Sequence, residues 1–493
     1  MITTIEAPAV SRPVRPNLVL AICCLSLLMI SMDATIVNVA LPSIRRDLDA
    51  SISGLQWVID AYTMVVASLL MFAGSMADRF GRRRIFQAGM SLFMLGSLLC
   101  SLASGIQGLV AFRVVQALGA TMLNPVAMSI IVNTFTEPRA RARAIGIWGA
   151  VAGISMALGP PIGGALTQSI GWRSIFWINL PIGAAAIVLA ALHVPESKAA
   201  RARRIDPLGQ LLVFTVLASL TCAVIEGPRL HWASLPIVGL FLLSLLALVG
   251  LLLYEPRRVD PLLDLRFFRS VPFSSAAAIA VCGFSAFAGF LFLNALYLQE
   301  VRGLSSFHTG LCTLPLALAT VICSPLSGRM VGSYGTQPSL LLAGAAMALS
   351  ASMLTHLAAD SSLGLLLLTY VLFGIGFGLV NAPITNTAVS GMPKAQAGLA
   401  AAVASTSRQV GNSLGVAVAG TVVGARVAAG TSFAEATHAF WWITVGLGLA
   451  IFALGLLSNT GWARASSRQA ALLLEDASVA DPARTATVAG DAK

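Results

Sequence analysis

Residues 58–84 read VIDAYTMVVASLLMFAGSMADRFGRRR. The stretch is apolar from Ala61 to Ala73, holds a carboxyl group at Asp60 near its start, and breaks after Gly74 into an acid, a second glycine and four arginines. With the residues before it the run covers 53–77, and at 1.5 Å of helix rise per residue a run of about 25 residues outreaches a hydrocarbon core about 30 Å thick. Arginines clustered directly behind such a run mark the side on which positive charge is retained when a helix crosses a membrane. The solvent of this stretch is therefore lipid.

The rest of the chain agrees. Of 493 residues, 57% are hydrophobic and 10% charged, whereas a soluble protein carries roughly 25% charged residues. Windows of about 19 residues place spans near 18–41, 53–77, 85–104, 108–134, 144–168, 175–193 and 208–226, then 233–254, 273–298, 308–328, 338–357, 363–391, 397–424 and 438–458. The first run exceeds a signal-peptide core and ends in Ala40-Leu-Pro42 followed by Ser43-Ile-Arg-Arg46, without a small-x-small cleavage site, so it reads as a span. With the N-terminus inside, 23 of the 31 Lys and Arg residues fall in inner segments, six fall in outer loops, and Arg113 and Arg408 fall within spans. That asymmetry supports an even span count, and it makes the net charge of +11 a topology signal rather than a sign of nucleic-acid binding. The seven cysteines lie in apolar runs without CxxC spacing, so they read as packing residues, with neither a disulfide framework nor a metal site indicated.

The two halves echo each other. Gly74-Ser-Met-Ala-Asp-Arg-Phe-Gly81 after span 2 has a counterpart in Gly328-Arg-Met-Val-Gly-Ser-Tyr-Gly335 after span 10, and Gly146 with Gly159 repeats the spacing of Gly398 with Gly411. Parallel repeats of this kind are found in secondary transporters whose substrate site lies between the halves near the midplane.

Charged residues inside spans are expensive, at least ~2.5 kcal/mol at the bilayer centre, and are functional hypotheses by default. Asp33 lies about 12 Å from the outer end of span 1, Asp60 about 10 Å into span 2 from the same face, and Arg113 about 8 Å into span 4, so the three share one depth. Burial favours the neutral form of a carboxyl group and a neighbouring guanidinium favours the charged form. A movement that separates Arg113 from an acid would therefore load that acid with a proton. Asp33 is expected to be the main titrating group, Arg113 its modulator and Asp60 a second acid. The plainer alternative is that Asp33 only hydrogen-bonds locally with Asn38 or Gln116. Arg408 lies about 16 Å into span 13, where a packing role and substrate contact are both open. Asn38, Trp57, Tyr62, Gln116, Asn294, Asn381 and Arg408 form the expected cavity lining.

Gly74-Ser-Met-Ala-Asp78-Arg79-Phe-Gly81-Arg82-Arg83 resembles the G-x-L-A-D-R-x-G-R-R loop signature of the major facilitator superfamily. Asp33-Ala-Thr-Ile-Val-Asn-Val-Ala-Leu-Pro42 is similar to the first-helix motif of its fourteen-span drug:proton antiporters, and Arg113-Val-Val-Gln116-Ala-Leu-Gly119 to their fourth-helix motif. Gly146 with Gly159-Pro160-Pro-Ile-Gly163-Gly164 resembles the fifth-helix antiporter motif, and the likeness runs from about Asn17 to Trp462. Ala117 and Ser155 stand where those motifs usually carry glycine, and both are small enough for close packing.

The resemblance implies an all-α membrane protein of the major facilitator fold. The expected division is an N-terminal tail (1–17), a six-helix half (18–193), a linker with two extra peripheral helices (194–272), a second six-helix half (273–458) and a disordered tail (459–493). It further implies proton-coupled export of small amphipathic organic compounds from a bacterial cytoplasmic membrane, both termini cytoplasmic, by a monomer whose partners are substrate, protons and lipid, and which needs no cofactor or metal. In the loop signature, Asp78 is expected to face a helix terminus or pair with Arg79, Arg82 or Arg83, locking two helices in one access state. The prolines and glycines of span 5 supply a bend and a smooth face. Export of an endogenous metabolite or siderophore, import, and a membrane enzyme or sensor stay open as alternatives. The five histidines are scattered without ligand spacing, and the absence of any Gly-Lys dipeptide argues against an ATP-driven pump.

Overall fold

In the computed structural model the protein is described over residues 15–198, 206–258, 261, 264–390 and 397–479. Arg12, Arg201, Arg203, Arg204, Lys394, Arg484 and Lys493 of the charge pattern lie outside the described residues, as do most of the N-terminal tail and part of the linker. Fourteen helical segments are long and apolar enough to cross a bilayer, and they follow the order read from hydropathy.

The first half contains α1 (Pro16–Asp47), α2 (Ile52–Phe80), α3 (Arg82–Ser101), α4 (Ile106–Thr134) and α5 (Pro138–Ser169), with α6 (Ser174–Trp177) and α7 (Asn179–His193) sharing its sixth span. The linker supplies α8 (Pro207–Leu230) and α9 (Leu235–Tyr254). In the second half, α10 (Val271–Leu296) runs on into a π-helical turn, Tyr297–Val301, and α11 (Ser306–Cys312) with α12 (Leu314–Tyr334) makes one span. The half is completed by α13 (Thr336–Leu354), α14 (Leu363–Val389), α15 (Ala397–Ala428) and α16 (Phe433–Leu457).

The halves repeat one packing scheme. In the first, α1 lies on α5, α2 on α4 and α3 on α4; in the second, α10 lies on α15, α12 on α14 and α13 on α14. Pro125 interrupts α4 and Pro383 interrupts α14 at corresponding places. Each removes a backbone donor within its helix.

The polar contacts between the halves, among the described residues, lie on one side of the molecule. Taking the arginine-rich end of α2 as the basic face, every hydrogen bond and ion pair joining the halves among the described residues lies toward the opposite face. Gln56 of α2 donates to the carbonyls of Val416 (3.3 Å) and Ala417 (2.7 Å) of α15. Gln299 donates to the carbonyl of Val39 at 2.8 Å, Arg45 pairs with Glu300 at 2.7 Å, and the Phe307 amide donates to Gln168 at 3.3 Å. On the basic side, Gly146, Gly149, Gly328 and Gly332 have nothing within 4 Å of where a side chain would start. Ala34 of α1 and Thr385 and Asn386 of α14 are exposed there despite lying within spans. The space between the halves thus opens toward the basic face.

Two features depart from the expected plan. Of the two extra helices, α9 is peripheral, but α8 lies across the seam where α2 meets α15. Its Gln210 donates to the Ser68 carbonyl and its Glu226 accepts from Trp57 at 2.8 Å, while its Val224 carbonyl accepts from Thr421 of α15 at 2.8 Å. The polar residues Gln210, Ser219 and Thr221, all buried on α8, give it a face that hydropathy averaging hides. Where the C-terminal tail was expected to be disordered, Gly461–Val479 forms α17, which buries Ala463, Ala470 and Leu474 and packs near the start of α10.

Candidate functional site

Asp33 of α1 and Arg113 of α4, eighty residues apart in sequence, form an ion pair of 2.7 Å with side chains 0% and 2% exposed. Arg113 also donates through Nε to the Val58 carbonyl at 3.1 Å and through Nη1 to Gln116 Oε1 at 2.6 Å. Gln116 sits one helical turn from Arg113 on α4, which brings the two to one face. Its amide nitrogen donates to Asp33 Oδ1 at 2.9 Å and to Ser97 Oγ at 2.8 Å. Asn179, at the start of α7, donates to the same two acceptors at 3.3 and 3.2 Å. The Tyr62 ring lies under the guanidinium, 4.2 Å from ring centre to Cζ. Both oxygens of Asp33 accept hydrogen bonds, as those of an ionised carboxylate do.

This network is shut within the first half. An ion pair so buried is held by geometry and by its further hydrogen bonds; removing one partner of such a pair costs about 3–5 kcal/mol, whereas replacing both can be neutral. Asp33 therefore bonds to Gln116 and not to Asn38, whose amide turns back to the carbonyls of Ala34 and Thr35.

Asp60 shares the depth of this network but not its location. Tyr62 directs its ring at Arg113, and two residues along a helix are about 200° apart around its axis, so Asp60 points to the other side of α2. There it is fully buried against α15, beside Ser413, with Thr63 donating to Oδ1 at 3.5 Å and Oδ2 without a hydrogen-bond partner. Thr221 of α8 lies 3.4 Å from Ser413, closing the site from the lipid side. One acid thus lies inside a half and the other at the seam between halves.

The expected cavity lining divides in the same way. Trp57 is engaged with Glu226, and Tyr62 and Gln116 belong to the ion-pair network. Asn294 is buried in the second half, donating to the Phe290 carbonyl and accepting from Tyr370 at 2.7 Å. The polar groups of Trp57, Gln116 and Asn294 are committed inside the protein, while the Tyr62 hydroxyl is buried without a hydrogen-bond partner. Asn38 is buried, and Asn381 and Arg408 of the second half are half-buried.

In the loop signature Asp78 accepts from Arg82 at 2.9 Å, within one half. Gly81 has φ +111° and a carboxylate where its side chain would be, two reasons for glycine. That carboxylate belongs to Glu196, which follows α7; it accepts from the amides of Arg83 and Arg84 at 3.1 and 3.3 Å and so caps α3. Arg83 also donates to the Val194 carbonyl at 3.3 Å, and Arg79 is exposed. In α5, Gly159 and Gly163 pack on Thr35 and Ile36 of α1, while Gly164 packs on Ser306 of α11 in the other half and the Pro160 carbonyl meets Gly310. Gly74 makes ordinary contact with Pro125, and Gly146 faces open space.

Asn179, Ser97, Glu196 and Ser413 were not singled out in the sequence. Asn179 falls within the conspicuous Trp177-Ile-Asn-Leu-Pro181 stretch, and Glu196 is the lone acid closing the first half; Ser97 and Ser413 have no distinguishing signal.

Residues 23–416 match the family described as Major Facilitator Superfamily. The multidrug resistance protein Stp of Mycobacterium tuberculosis is 39% identical over 405 residues, covering 82% of this chain and 75% of its own. The tetracenomycin C resistance and export protein of Streptomyces glaucescens is 35% identical over 423 residues, covering 86% and 78%. Among solved structures, a bacterial homologue of the human lysosomal transporter Spinster, inward-facing and unoccupied, superposes with a TM-score of 0.61 at 18% identity over 94% of this chain and 98% of that one; this likeness concerns the fold.

Proposed function

The chain belongs to the major facilitator superfamily, whose members move small molecules across membranes, and on that premise we propose that it is a drug:proton antiporter that exports amphipathic organic compounds by alternating access. The observation that carries the proposal is the buried Asp33–Arg113 pair in a molecule whose hydrogen bonds and ion pairs between the halves, among the described residues, lie toward one side. Resistance and export functions in its relatives' names support the direction of transport.

The basic face is cytoplasmic under the positive-inside rule, so the molecule is open inward, both termini are cytoplasmic, and the Arg45–Glu300 and Gln56–α15 contacts are an outer gate. Rocking the halves opens that gate and closes the basic side. Asp60, in the seam, changes surroundings when α2 parts from α15. Asp33 changes when α1 and α4 shift against each other and the Arg113 contact lengthens. An acid that loses its cation or enters a dry site favours its protonated form, so both can exchange a proton between the two faces. The proton gradient then drives the cycle with no cofactor.

The test is substrate-dependent proton movement in everted membrane vesicles, comparing wild type with Asp33→Asn and Asp60→Asn. Each variant is expected to lose proton-driven uptake into the vesicles while retaining substrate exchange. Proton coupling that survived in both would remove these acids from the mechanism, and wild-type transport indifferent to a pH gradient would remove antiport itself.

A further inference from the structure

Proton coupling leaves one membrane-embedded charge without a role. Arg408 lies on α15, where Nη2 donates to Thr385 Oγ1 of α14 and the guanidinium carbon stands 5.9 Å from the centre of the Phe284 ring of α10. Its Nε is buried without a hydrogen-bond partner. Among the described residues it forms no ion pair.

The lack of a counter-ion follows from the sequence. Between residues 273 and 458 the acids are Glu300, Asp360 and Glu435. Glu300 is in the turn after α10 and pairs with Arg45, Asp360 lies between α13 and α14, and Glu435 begins α16. All three are at the closed, outer side of the molecule. Arg408 is twenty residues short of the outer end of α15, about 30 Å along the helix axis, so no carboxylate of its own half reaches it. In the other half Asp33 is committed to Arg113, and Asp60 faces Ser413, five residues or about 8 Å farther along α15.

The surroundings of Arg408 fit a ligand. Thr385 is exposed on the edge of α14 that its neighbours α10, α12, α13 and α15 leave free. Phe284 packs edge-on to Phe377 with centroids 5.1 Å apart, and Phe287 stacks on Phe377 at 4.0 Å. A lone guanidinium thus stands between the exposed edge of α14 at Thr385 and a cluster of buried rings, of which Phe284 is 8% exposed. An unpaired cation inside a membrane protein is costly to maintain and marks a substrate path, and a planar guanidinium matches a carboxylate through two parallel hydrogen bonds.

We propose that Arg408 is the subsite for an acidic group of the transported molecule, so that the favoured substrates are aromatic amphiphiles bearing a carboxylate or an ionised enol or phenol, rather than organic cations. This rests on the exporter reading and narrows it. The Asp33–Arg113 network is neutral as a pair, which leaves Arg408 as the cation without a balancing charge beside it. The bound anion sets its acidic group on Arg408 and its ring against Phe284. Exchange of such an anion for a proton moves two charges per cycle, so a membrane potential drives it as well as a pH gradient.

Three naphthalene probes of one shape test this on the purified full chain: 2-naphthoate (anion), 2-naphthamide (neutral) and 2-naphthylmethylamine (cation). Binding is read by calorimetry, and uptake in proteoliposomes under an imposed proton gradient. Naphthoate is expected to bind about tenfold more tightly than the amide, the amine no better than the amide, and Arg408→Gln to bring naphthoate down to the amide's affinity. Arg408→Lys keeps the charge without the fork and retains part of the preference, which covers the case in which the Gln variant does not fold. Equal affinities for the three probes, preference for the amine, no binding of naphthoate, or an unchanged preference in both variants overturns the proposal. If naphthoate binds through Arg408 but no proton gradient moves it, the subsite stands and the exporter reading fails. If the gradient moves the amine and leaves naphthoate, the exporter reading stands and the subsite fails.

Discussion

The two halves share a helix plan and fill it with different chemistry. At the heart of the first half lie Asp33, Arg113, Gln116, Asn179 and Ser97, joined by hydrogen bonds on every side. At the heart of the second, Phe290 touches Tyr370, Phe373 and Trp441 with centroids 5.1, 4.3 and 5.7 Å apart, and the polar links around it, Tyr370 to Asn294, Asn294 to the Phe290 carbonyl and Trp441 to Thr437, carry no charge. A charged network changes state when a proton arrives or a partner shifts. An aromatic cluster has no such state and holds its shape. On the proposed mechanism the two halves divide labour, with the variable charge in one and a stiff body for it to move against in the other.

The strongest way to break that comparison is Arg113→Met, which strands the Asp33 carboxylate in a dry site and should cost about 4 kcal/mol. Thermal unfolding in detergent at pH 8 should show this loss, and acidification, by neutralising Asp33, should recover much of it. The double variant Asp33→Asn with Arg113→Met should regain stability yet stay uncoupled from protons; failure to regain it would mean that the network is held by more than its charge balance. Phe290→Ala in the second half should cost about 3 kcal/mol through the cavity it leaves. That loss should be the same at pH 5 and pH 8, with the proton-to-substrate ratio unchanged, and a change in the ratio would end the division of labour. The smallest effect expected is from Gln56→Leu, which deletes the two bonds from α2 to α15. A loss of about 1 kcal/mol from the closed outer gate would raise the outward-open population about fivefold, measurable as labelling of a cysteine placed in the outer seam.

The fourteen spans were legible because a bilayer imposes length and apolarity on each of them. The meeting of Asp33, Arg113 and Gln116 was legible because few charges occur inside spans and these share a depth. Depth, however, says nothing of rotation about a helix axis. Asp60 has the depth of Asp33 and faces the seam, while Trp57, Gln116 and Asn294 read as lining and are consumed by internal partners, and Tyr62 turns its ring to Arg113. Their neighbours are set by how α2, α4 and α10 are turned, which a stretch rich in apolar residues on all sides leaves open. Glu196 was hidden for another reason. Its role comes from the fold returning the end of α7 to the start of α3, more than a hundred residues away in sequence. In α17, polar composition concealed three residues with a face to pack.

The helix laid across the α2–α15 seam makes the two flanks of the molecule unlike as seen from the membrane. Along one flank α8 is hydrogen-bonded to both halves, and a lipid chain drifting past meets a wall. Along the other, α5 runs beside α11 and α12 with Gly164, Gly310 and the Pro160 carbonyl in close contact on the outer side. Farther toward the basic face, a side chain at Gly153 would start 4.0 Å from Val321 of α12, and at Gly146 and Gly328 nothing lies within 4 Å of where one would start. Toward the basic face, the flank between α5 and α12 is thus the looser of the two.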